Sequence, residues 1–212
     1  MHEDKKEELV KVLIKEGITD KKVLSAFLKV DRHLFVPDII KAHAYSNVAL
    51  PIGHEQTISQ PYTVAFMTQA LELEERSKIL EIGTGSGFQA AILVEMGMKV
   101  FSIERKYEIY QHTQNLFDEL GIRAALIYGD GTIGWQESAP YDRIIVTAGG
   151  PEVPKKLLNQ LAVGGKMVIP VGDRVSQSMQ IISKLAENNY SVKEIPNFKF
   201  VPLIGKDGWK SE

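Results

Sequence analysis

Residues 78–88 constrain the fold more than any other part of this chain. The segment begins as an apolar, β-prone run, continues through glycines at alternate positions, and leads into the helix-favouring residues 89–94. The glycines are Gly83, Gly85 and Gly87. Because glycine has no Cβ, the backbone of such a turn can approach a ligand closely. The segment therefore predicts a strand, a tight turn and the start of a helix, with a ligand site at the turn.

The glycine spacing separates two kinds of nucleotide-binding loop. A dinucleotide loop of the form G-x-G-x-x-G would need its third glycine where this chain has Phe88. The stretch from Glu81 to Gly87 reads E-x-G-x-G-x-G, which resembles the S-adenosyl-L-methionine (AdoMet) loop of Rossmann-like methyltransferases. A P-loop is not expected, because the glycines are not followed by the Lys and Ser/Thr of that motif.

Strand-like and helix-like segments alternate through the middle of the chain. Strands are predicted at 79–82, 99–104, 124–128, 143–147 and 166–171. Helices are predicted between them at 90–96, 107–120 and 154–161. This alternation predicts an α/β fold with a doubly wound, mostly parallel, Rossmann-like sheet.

The two ends of the chain add to this core. Apolar periodicity predicts helices over 3–16, around 23–28 and over 63–73, with an irregular loop at 45–62. Further strands are predicted at 179–184 and 193–200, and an exposed tail begins at Lys206. We therefore expect a single domain over 1–212. Its parts are N-terminal helices with a site loop (1–75), a Rossmann-like core (76–175), and C-terminal strands with a tail (176–212).

Composition excludes several classes of protein. There are no cysteines, so disulfides, thiolate catalysis and cysteine-ligated zinc are excluded. The formal net charge of -2 argues against binding to nucleic acid. The charged N-terminus is unlike a secretory signal, and no apolar run approaches the ~18 residues that span a bilayer. We expect a soluble, cytoplasmic protein with no membrane partner, and a monomer.

Ligands of an open parallel sheet bind beyond the carboxyl ends of its strands, and four predicted strand ends carry suitable residues. Glu81 and the glycines end the first strand, and Glu104, which ends the second, can accept the hydroxyl groups of a ribose. Asp130-Gly131 could hold an adenine edge, and Thr147 opens a run of small residues that leaves space for reacting groups. Each feature alone also fits a turn or a helix cap. Together they favour a nucleoside cofactor.

Ser59 lies in the loop before the helix predicted at 63–73 and has two interpretations. From spacing alone it fits an N-cap, with Pro61 at an early helical position. It could instead be a site residue, since loops of this length are often functional. The histidines show no metal-ligand spacing, so no metal site is predicted.

The chain resembles the protein-L-isoaspartate O-methyltransferases over nearly its whole length. The matching stretches are 30–37, 49–61, 80–87, 102–105, 129–131, 139–148, 151–154 and 200–203. The segments 57–61 and 140–148 are characteristic of this family, whereas the glycine loop is generic to methyltransferases. The chain has Phe88 where the family commonly has tyrosine, and Gly149-Gly150 where it has alanines. The glycines are expected to loosen that loop.

The resemblance implies a cofactor, a substrate and a set of site residues. It implies methyl transfer from AdoMet, with S-adenosyl-L-homocysteine as product, to isoaspartyl-containing peptides and proteins. It also implies that Ser59 is the active-site serine. The residues expected to bind the cofactor are Thr57, Ile58, Gln60, Glu81, Gly83, Gly85, Ser86, Gly87, Glu104, Arg105, Asp130, Gly131 and Thr147.

The implied chemistry needs no strong base. The acceptor carboxylate, with a reference pKa of about 4, is already ionised at neutral pH. Ser59 would orient this carboxylate, since no Ser/His/Asp arrangement is visible to activate it. The loop at 45–62 and the segment around 202–204 are candidates for a lid that excludes water.

Three other functions are weighed against this one. The nearest is a methyltransferase acting on a small molecule or on nucleic acid. Methylation of a nucleobase amine is disfavoured, because the fourth predicted strand ends in Thr147-Ala148-Gly149-Gly150 and not in an Asp/Asn-Pro-Pro-aromatic motif. A nicotinamide dehydrogenase is disfavoured by the glycine spacing. A non-enzymatic AdoMet-binding protein would bind the cofactor without turnover.

Overall fold

A seven-stranded sheet forms the centre of the computed structural model, which describes residues 2–210. A separate two-stranded hairpin consists of β1 (Leu50–Gly53) and β2 (Gln56–Ile58). The strands of the seven-stranded sheet are β3 (Lys78–Ile82), β4 (Lys99–Glu104), β5 (Ala125–Tyr128), β6 (Tyr141–Val146), β7 (Leu161–Gly172), β8 (Gln177–Ala186) and β9 (Asn189–Phe198). The α-helices are α1 (His2–Lys15), α2 (Lys21–Lys29), α3 (Pro61–Ala70), α4 (Phe88–Glu95), α5 (Tyr107–Leu120) and α6 (Lys155–Gln160). Short 3-10 helices lie at Arg32–Phe35, Asp38–His43, Gly131–Ile133 and Gln136–Ser138.

The sheet order is β5-β4-β3-β6-β7-β8-β9. The strands from β5 to β7 pair in parallel, and β8 and β9 extend the sheet as antiparallel neighbours. The chain reverses direction across the sheet at β3, so the loops after β3, β4 and β6 emerge side by side at one edge. The predicted doubly wound, mostly parallel fold with added N-terminal helices is confirmed.

Side-chain alternation along the central strands builds a separate apolar core on each face of the sheet. On β6, Ile145 faces the core that also contains α1 to α4. Its neighbours Ile144 and Val146 face the opposite core, which includes Leu157 of α6. Strands that are apolar on both faces are expected in a parallel sheet covered by helices on both sides.

The site loop at 45–62 is more regular than predicted. Residues 50–58 form the β1–β2 hairpin, whose strands pair antiparallel with Leu50 opposite Ile58. The turn at its tip consists of His54 and Glu55, both with positive φ. The sequence shows no Asn-Gly or Asp-Gly signal there, which explains why the hairpin was not predicted.

The prediction of an exposed tail from Lys206 is wrong for residues 207–209, which are half-buried. The backbone N–H of Lys206 donates to Asp130 Oδ2 at 2.7 Å, and that of Asp207 donates to Thr132 Oγ1 at 3.0 Å. The indole Nε1 of Trp209 donates to the Gly149 carbonyl at 3.0 Å. The segment therefore folds back onto the loops that follow β5 and β6. Within residues 2–210, no helix is both long and apolar enough to cross a membrane.

Gly87 supports a stability prediction. Its φ is +84°, and a Cβ there would lie 2.4 Å from the Phe117 ring of α5. Gly97 also has a φ of +84°, but a Cβ there would meet nothing within 4 Å. We expect Gly97→Ala to lower the free energy of unfolding by about 1 kcal/mol through backbone strain alone. Gly87→Ala should lower it by about 3 kcal/mol, because overpacking is added.

Urea denaturation of the two variants and the unmodified protein measures both effects. The difference between the variants isolates the contact with helix α5, at Phe117 and Thr113. Equal losses of stability would show that helix α5 moves aside without cost and that the glycine is not required for packing.

Candidate active site

The carboxyl ends of β3, β4 and β6 surround a cavity, here called the strand-end cavity. Its floor is made by the glycine loop, its sides by the ends of β4 and β6, and its cover by β2 and residues 201–204. Ten of the predicted site residues line it: Thr57, Ile58, Ser59, Gly83, Gly85, Ser86, Glu104, Arg105, Gly131 and Thr147. The fold thus brings most of the predicted set together.

The glycine loop is held against the end of β6. Thr147 Oγ1 donates to the Gly83 carbonyl at 2.7 Å, and the Thr147 N–H donates to the Ile82 carbonyl at 2.9 Å. Gly83 has a φ of +91°, and a Cβ there would lie 2.5 Å from Thr147 Oγ1. Only glycine allows this approach, and it leaves the loop backbone bare toward the cavity.

The carboxylate of Glu104 is held in place at the rim of the strand-end cavity. One oxygen accepts the Gly85 N–H at 2.9 Å, and the other accepts the Lys106 N–H at 2.9 Å. Glu104 is 5% exposed, so these two hydrogen bonds, and not contacts with solvent, fix the orientation of its carboxylate and of the lone pairs that remain free. A carboxylate fixed in this way can accept hydroxyl groups of a bound ribose.

Glu81 does not line the cavity but lies fully buried below the glycine loop. Its Oε2 accepts the Ser102 hydroxyl, which is 2.6 Å from Thr84 Oγ1, and its Oε1 has no partner among the described residues. Burial raises the pKa of Glu81 to about 8, an effect that the Ser102 hydrogen bond opposes. The carboxyl is therefore protonated at neutral pH and supports the loop from below.

Ser59 lies where two cavities meet. It lines the strand-end cavity and also a second one, the β9 groove, which runs along Tyr62 and the residues from Ile195 to Val201. The N-cap of α3 is Gln60, and no side chain caps the helix. The N-cap interpretation of Ser59 is therefore wrong, because the helix begins one residue too late for it. Within residues 2–210, the Ser59 hydroxyl has no hydrogen-bond partner.

Arg32 holds the backbone of Ser59 from behind. Its Nη2 donates to the Ser59 carbonyl at 2.8 Å, and its Nε donates to the Ala44 carbonyl at 2.8 Å. The guanidinium lies 4.8 Å from the centre of the Phe88 ring, and the residue is 1% exposed. Burial lowers the pKa of Arg32 to about 9. The arginine is part of the resemblance at 30–37, but no spacing signal connects it with Ser59.

Four predicted residues lie outside the strand-end cavity. Gln60 lines the β9 groove, Glu81 lies beneath the glycine loop, and Gly87 packs against α5. Asp130 Oδ1 accepts from Thr132, and its Oδ2 accepts the Lys206 N–H. These bonds lower the pKa of Asp130 although burial, the largest influence, acts to raise it. The predicted contact of Asp130 with adenine therefore has to compete with its role in holding the chain at Lys206.

Several residues that line the cavity were not predicted as ligands. Gln89 of α4 and Lys106 at the start of α5 are examples, and both come from segments with ordinary helical patterns. The side-chain amide of Gln89 donates to Thr68 Oγ1 at 2.9 Å. A helical residue can turn toward a ligand without any change in sequence pattern, so only the fold reveals these positions.

Backbone hydrogen bonds connect the loop at Gly149-Gly150 to neighbouring segments. The Gly149 N–H donates to the Val201 carbonyl at 2.8 Å, and the Leu203 N–H donates to the Gly149 carbonyl at 2.8 Å. The Gly150 N–H donates to the Pro170 carbonyl at 3.0 Å. Backbone bonds thus join the loop to neighbouring segments, and the expected effect of the glycines on its mobility stays a prediction.

Comparison with known proteins places this site in a family. The family model for protein-L-isoaspartate(D-aspartate) O-methyltransferase (PCMT) matches residues 4–208. The chain belongs to the PCMT family. A protein-L-isoaspartate O-methyltransferase of Cytophaga hutchinsonii is 47% identical to it over 212 residues, which cover 100% of this chain and 96% of that protein.

Solved structures of PCMT proteins have the same fold. One protein-L-isoaspartate O-methyltransferase superposes with a TM-score of 0.87 and 28% identity, covering 96% of this chain and 67% of that one. A Plasmodium falciparum PCMT, crystallised with S-adenosyl-L-homocysteine, gives a TM-score of 0.81 and 24% identity, covering 93% of this chain and 97% of that one. The cavity at the strand ends is thus built on the scaffold of an AdoMet-dependent methyltransferase.

Glu81 gives this PCMT protein a specific pH dependence of stability. Its pKa rises from 4.5 in the unfolded chain to about 8 in the fold, so between these values the folded state binds the proton more strongly. Unfolding therefore becomes easier as pH rises through this range, by up to about 1.4 kcal/mol per pH unit. Glu81→Gln should remove this component.

Urea denaturation at about pH 6 and about pH 8, without cofactor, compares the unmodified protein with Glu81→Gln. The unmodified protein should lose more stability than the variant between the two pH values. Parallel losses would show that Glu81 is ionised in the fold at both.

Proposed function

We propose that this chain transfers the methyl group of AdoMet to the free α-carboxylate of L-isoaspartyl residues in damaged peptides and proteins. Methylation converts that carboxylate into a methyl ester. The neighbouring backbone amide nitrogen then attacks the ester carbonyl and displaces methanol, so a succinimide re-forms, and hydrolysis reopens part of it to normal aspartate. One observation carries the proposal: Ser59 lies at the junction of the strand-end cavity and the β9 groove. A cofactor in the first and a peptide in the second would meet at this serine.

The described residues fit AdoMet. Gly83 lets the loop backbone approach the end of β6 so closely that a Cβ would collide with Thr147 Oγ1, and the fixed carboxylate of Glu104 supplies acceptors for ribose hydroxyls. Gly131 and Arg105 line the same cavity beyond Glu104. When bound, AdoMet supplies an electrophilic methyl group on a positively charged sulfur.

The β9 groove suits an extended peptide. It joins the strand-end cavity through Thr57, Ser59, Thr147 and Val201, which line both. Apolar rings of Phe198 and Phe200 lie along it, and among residues 2–210 Lys199 is the single charged residue in its lining. A groove open along its length can accept many sequences around one isoaspartyl residue, as repair of diverse proteins requires.

The chain's own residues would position the acceptor and exclude water. The carboxylate needs no base, so the part left to the protein is alignment, which supplies about 7–11 kcal/mol of the barrier in favourable systems. The free Ser59 hydroxyl can donate a hydrogen bond to one carboxylate oxygen, while Arg32 fixes the backbone that presents it. The hairpin and residues 201–204 cover the cavity, where charge neutralisation is favoured by exclusion of water.

We further propose a cytoplasmic monomer that acts without nucleic acid, with the division into 1–75, 76–175 and 176–212 described above. The monomer is supported by the cavity linings, because one chain supplies residues from all three parts to the strand-end cavity. Independence from nucleic acid is supported by the net charge of -2.

Two synthetic peptides that differ only in one L-isoaspartyl or L-aspartyl residue test the reaction and its selectivity. With radiolabelled AdoMet, we expect base-labile methyl ester on the isoaspartyl peptide alone. Absence of transfer to either peptide, with AdoMet bound normally, would contradict the repair function and leave only the fold.

Ser59→Ala tests the role of the serine. We expect kcat/KM for the isoaspartyl peptide to fall by about tenfold to a hundredfold, because one oriented hydrogen bond is lost. The dissociation constant of S-adenosyl-L-homocysteine should stay close to that of the unmodified protein. Ser46→Ala, at an exposed serine outside both cavities, is the matched control. Equal losses in turnover and cofactor binding would mean that Ser59 only maintains the loop.

A further inference from the structure

The segment from His54 to Ser59 is held at each end by a cationic side chain. At the tip of the hairpin, Lys106 Nζ donates to the His54 carbonyl. At the other end, Arg32 Nη2 donates to the Ser59 carbonyl at 2.8 Å. Between these two points, residues 55–59 line the strand-end cavity. The segment that contains Ser59 is therefore hydrogen-bonded at both ends to cationic side chains, and these two side chains come from different parts of the fold.

The two attachments differ in their access to solvent. Arg32 is buried against Phe88 and keeps a second bond, to Ala44, whatever happens at Ser59. The Lys106 side chain is 22% exposed, and the Glu55 carboxylate 3.9 Å from its Nζ belongs to a side chain that is 96% exposed. Water can replace the partners of Lys106 but not those of Arg32. The Ser59 end of the segment is thus held in place by Arg32, whereas the hairpin tip can separate from Lys106.

The hairpin tip has few stabilising interactions other than its hydrogen bond to Lys106. His54 and Glu55 have φ values of 50° and 58°, which residues other than glycine adopt at a cost. The pairing of β1 with β2 covers only three residue pairs and shifts register before the turn. A short, two-stranded hairpin without further support is marginally stable in water.

Lys106 also connects the tip to the part of the cavity expected to hold the ribose. Its own N–H donates to Glu104 Oε1, and Glu104 Oε2 accepts from Gly85 of the glycine loop. Hairpin, Lys106, Glu104 and glycine loop thereby form a continuous hydrogen-bonded path along the edge of the cavity. A ligand that leaves on this side has to break that path at its weakest link.

We propose that Lys106 is a positioning residue that holds the β1–β2 hairpin over the strand-end cavity, and that its release from the His54 carbonyl sets the rate at which S-adenosyl-L-homocysteine leaves. The inference rests on the proposed function only in placing that product in the cavity. Hairpin opening about the hydrogen bond between Arg32 and Ser59 exposes the product, and closing restores Ser59 to its place beside the groove.

The test uses Lys106→Met, which keeps the length of the side chain and removes the donor. Dissociation of radiolabelled S-adenosyl-L-homocysteine from the full chain is followed after addition of excess unlabelled compound. We expect release about tenfold faster than from the unmodified protein, the size of effect for loss of one hydrogen bond to a charged group. Lys106→Arg, which can still donate to the carbonyl, should recover most of the difference.

Lys99→Met is the matched control, because Lys99 is an exposed lysine at the start of β4, the strand that ends shortly before Lys106, and it lies outside the cavity. Its release rate should equal that of the unmodified protein. A rate for Lys106→Met within about twofold of the unmodified protein would overturn the proposal.

Hydrogen exchange in the ligand-free protein separates positioning from direct contact with the ligand. Backbone amides of residues 53–58 should exchange faster in Lys106→Met, because the hairpin opens more often. Faster release without faster exchange would overturn the proposal, since Lys106 would then act by touching the ligand. Neither measurement includes a peptide, so failure of methyl transfer to isoaspartyl peptides would leave this result readable.

Discussion

The approach of the glycine loop to the end of β6 is the constraint on which the rest of the structure depends. With Thr147 Oγ1 on the Gly83 carbonyl, the loops after β3 and β6 are held side by side, and the Thr147 side chain occupies the place that a Cβ on Gly83 would need. The bare backbone that results forms the floor of the strand-end cavity. Glu104, from the next strand, is then oriented by the same loop through Gly85. Cavity floor and cavity rim are thus consequences of one contact between the Thr147 side chain and the Gly83 backbone.

The sequence predicts the parts of this molecule that are determined locally. The strand, turn and helix at 78–95 can be derived from apolar periodicity and glycine spacing, because neighbouring residues decide those conformations. The glycine loop, Glu104, Gly131 and Thr147 were predicted from strand ends, and they lie at one cavity together with residues that the resemblance alone implied. A site role for Ser59 was implied by the resemblance alone, since spacing favoured a helix cap that does not form, and its place between two cavities was not predicted.

The features that escaped prediction depend on partners distant in sequence. The hairpin tip is held by Lys106, which is 52 residues away, and Lys206 is joined to Asp130 across 76 residues. A lysine before a helix and an aspartate before a glycine have ordinary local explanations, a solvated side chain and a turn. Their actual partners emerge only when the order of the strands is known, and so they could not be derived from periodicity or spacing.

Residues 201–209 have a consequence for how the molecule is made. This segment covers the strand-end cavity with Val201 to Ile204 and bonds to the loops at Gly149 and Asp130. The floor of the cavity, by contrast, is encoded more than a hundred residues earlier, at Gly83. During synthesis, the parallel strands β3 to β7 and their pairing partners are therefore made before residues 201–204, which cover the cavity. Competence for ligand binding appears late in synthesis, so an interrupted chain that has already formed its sheet is still without a closed site.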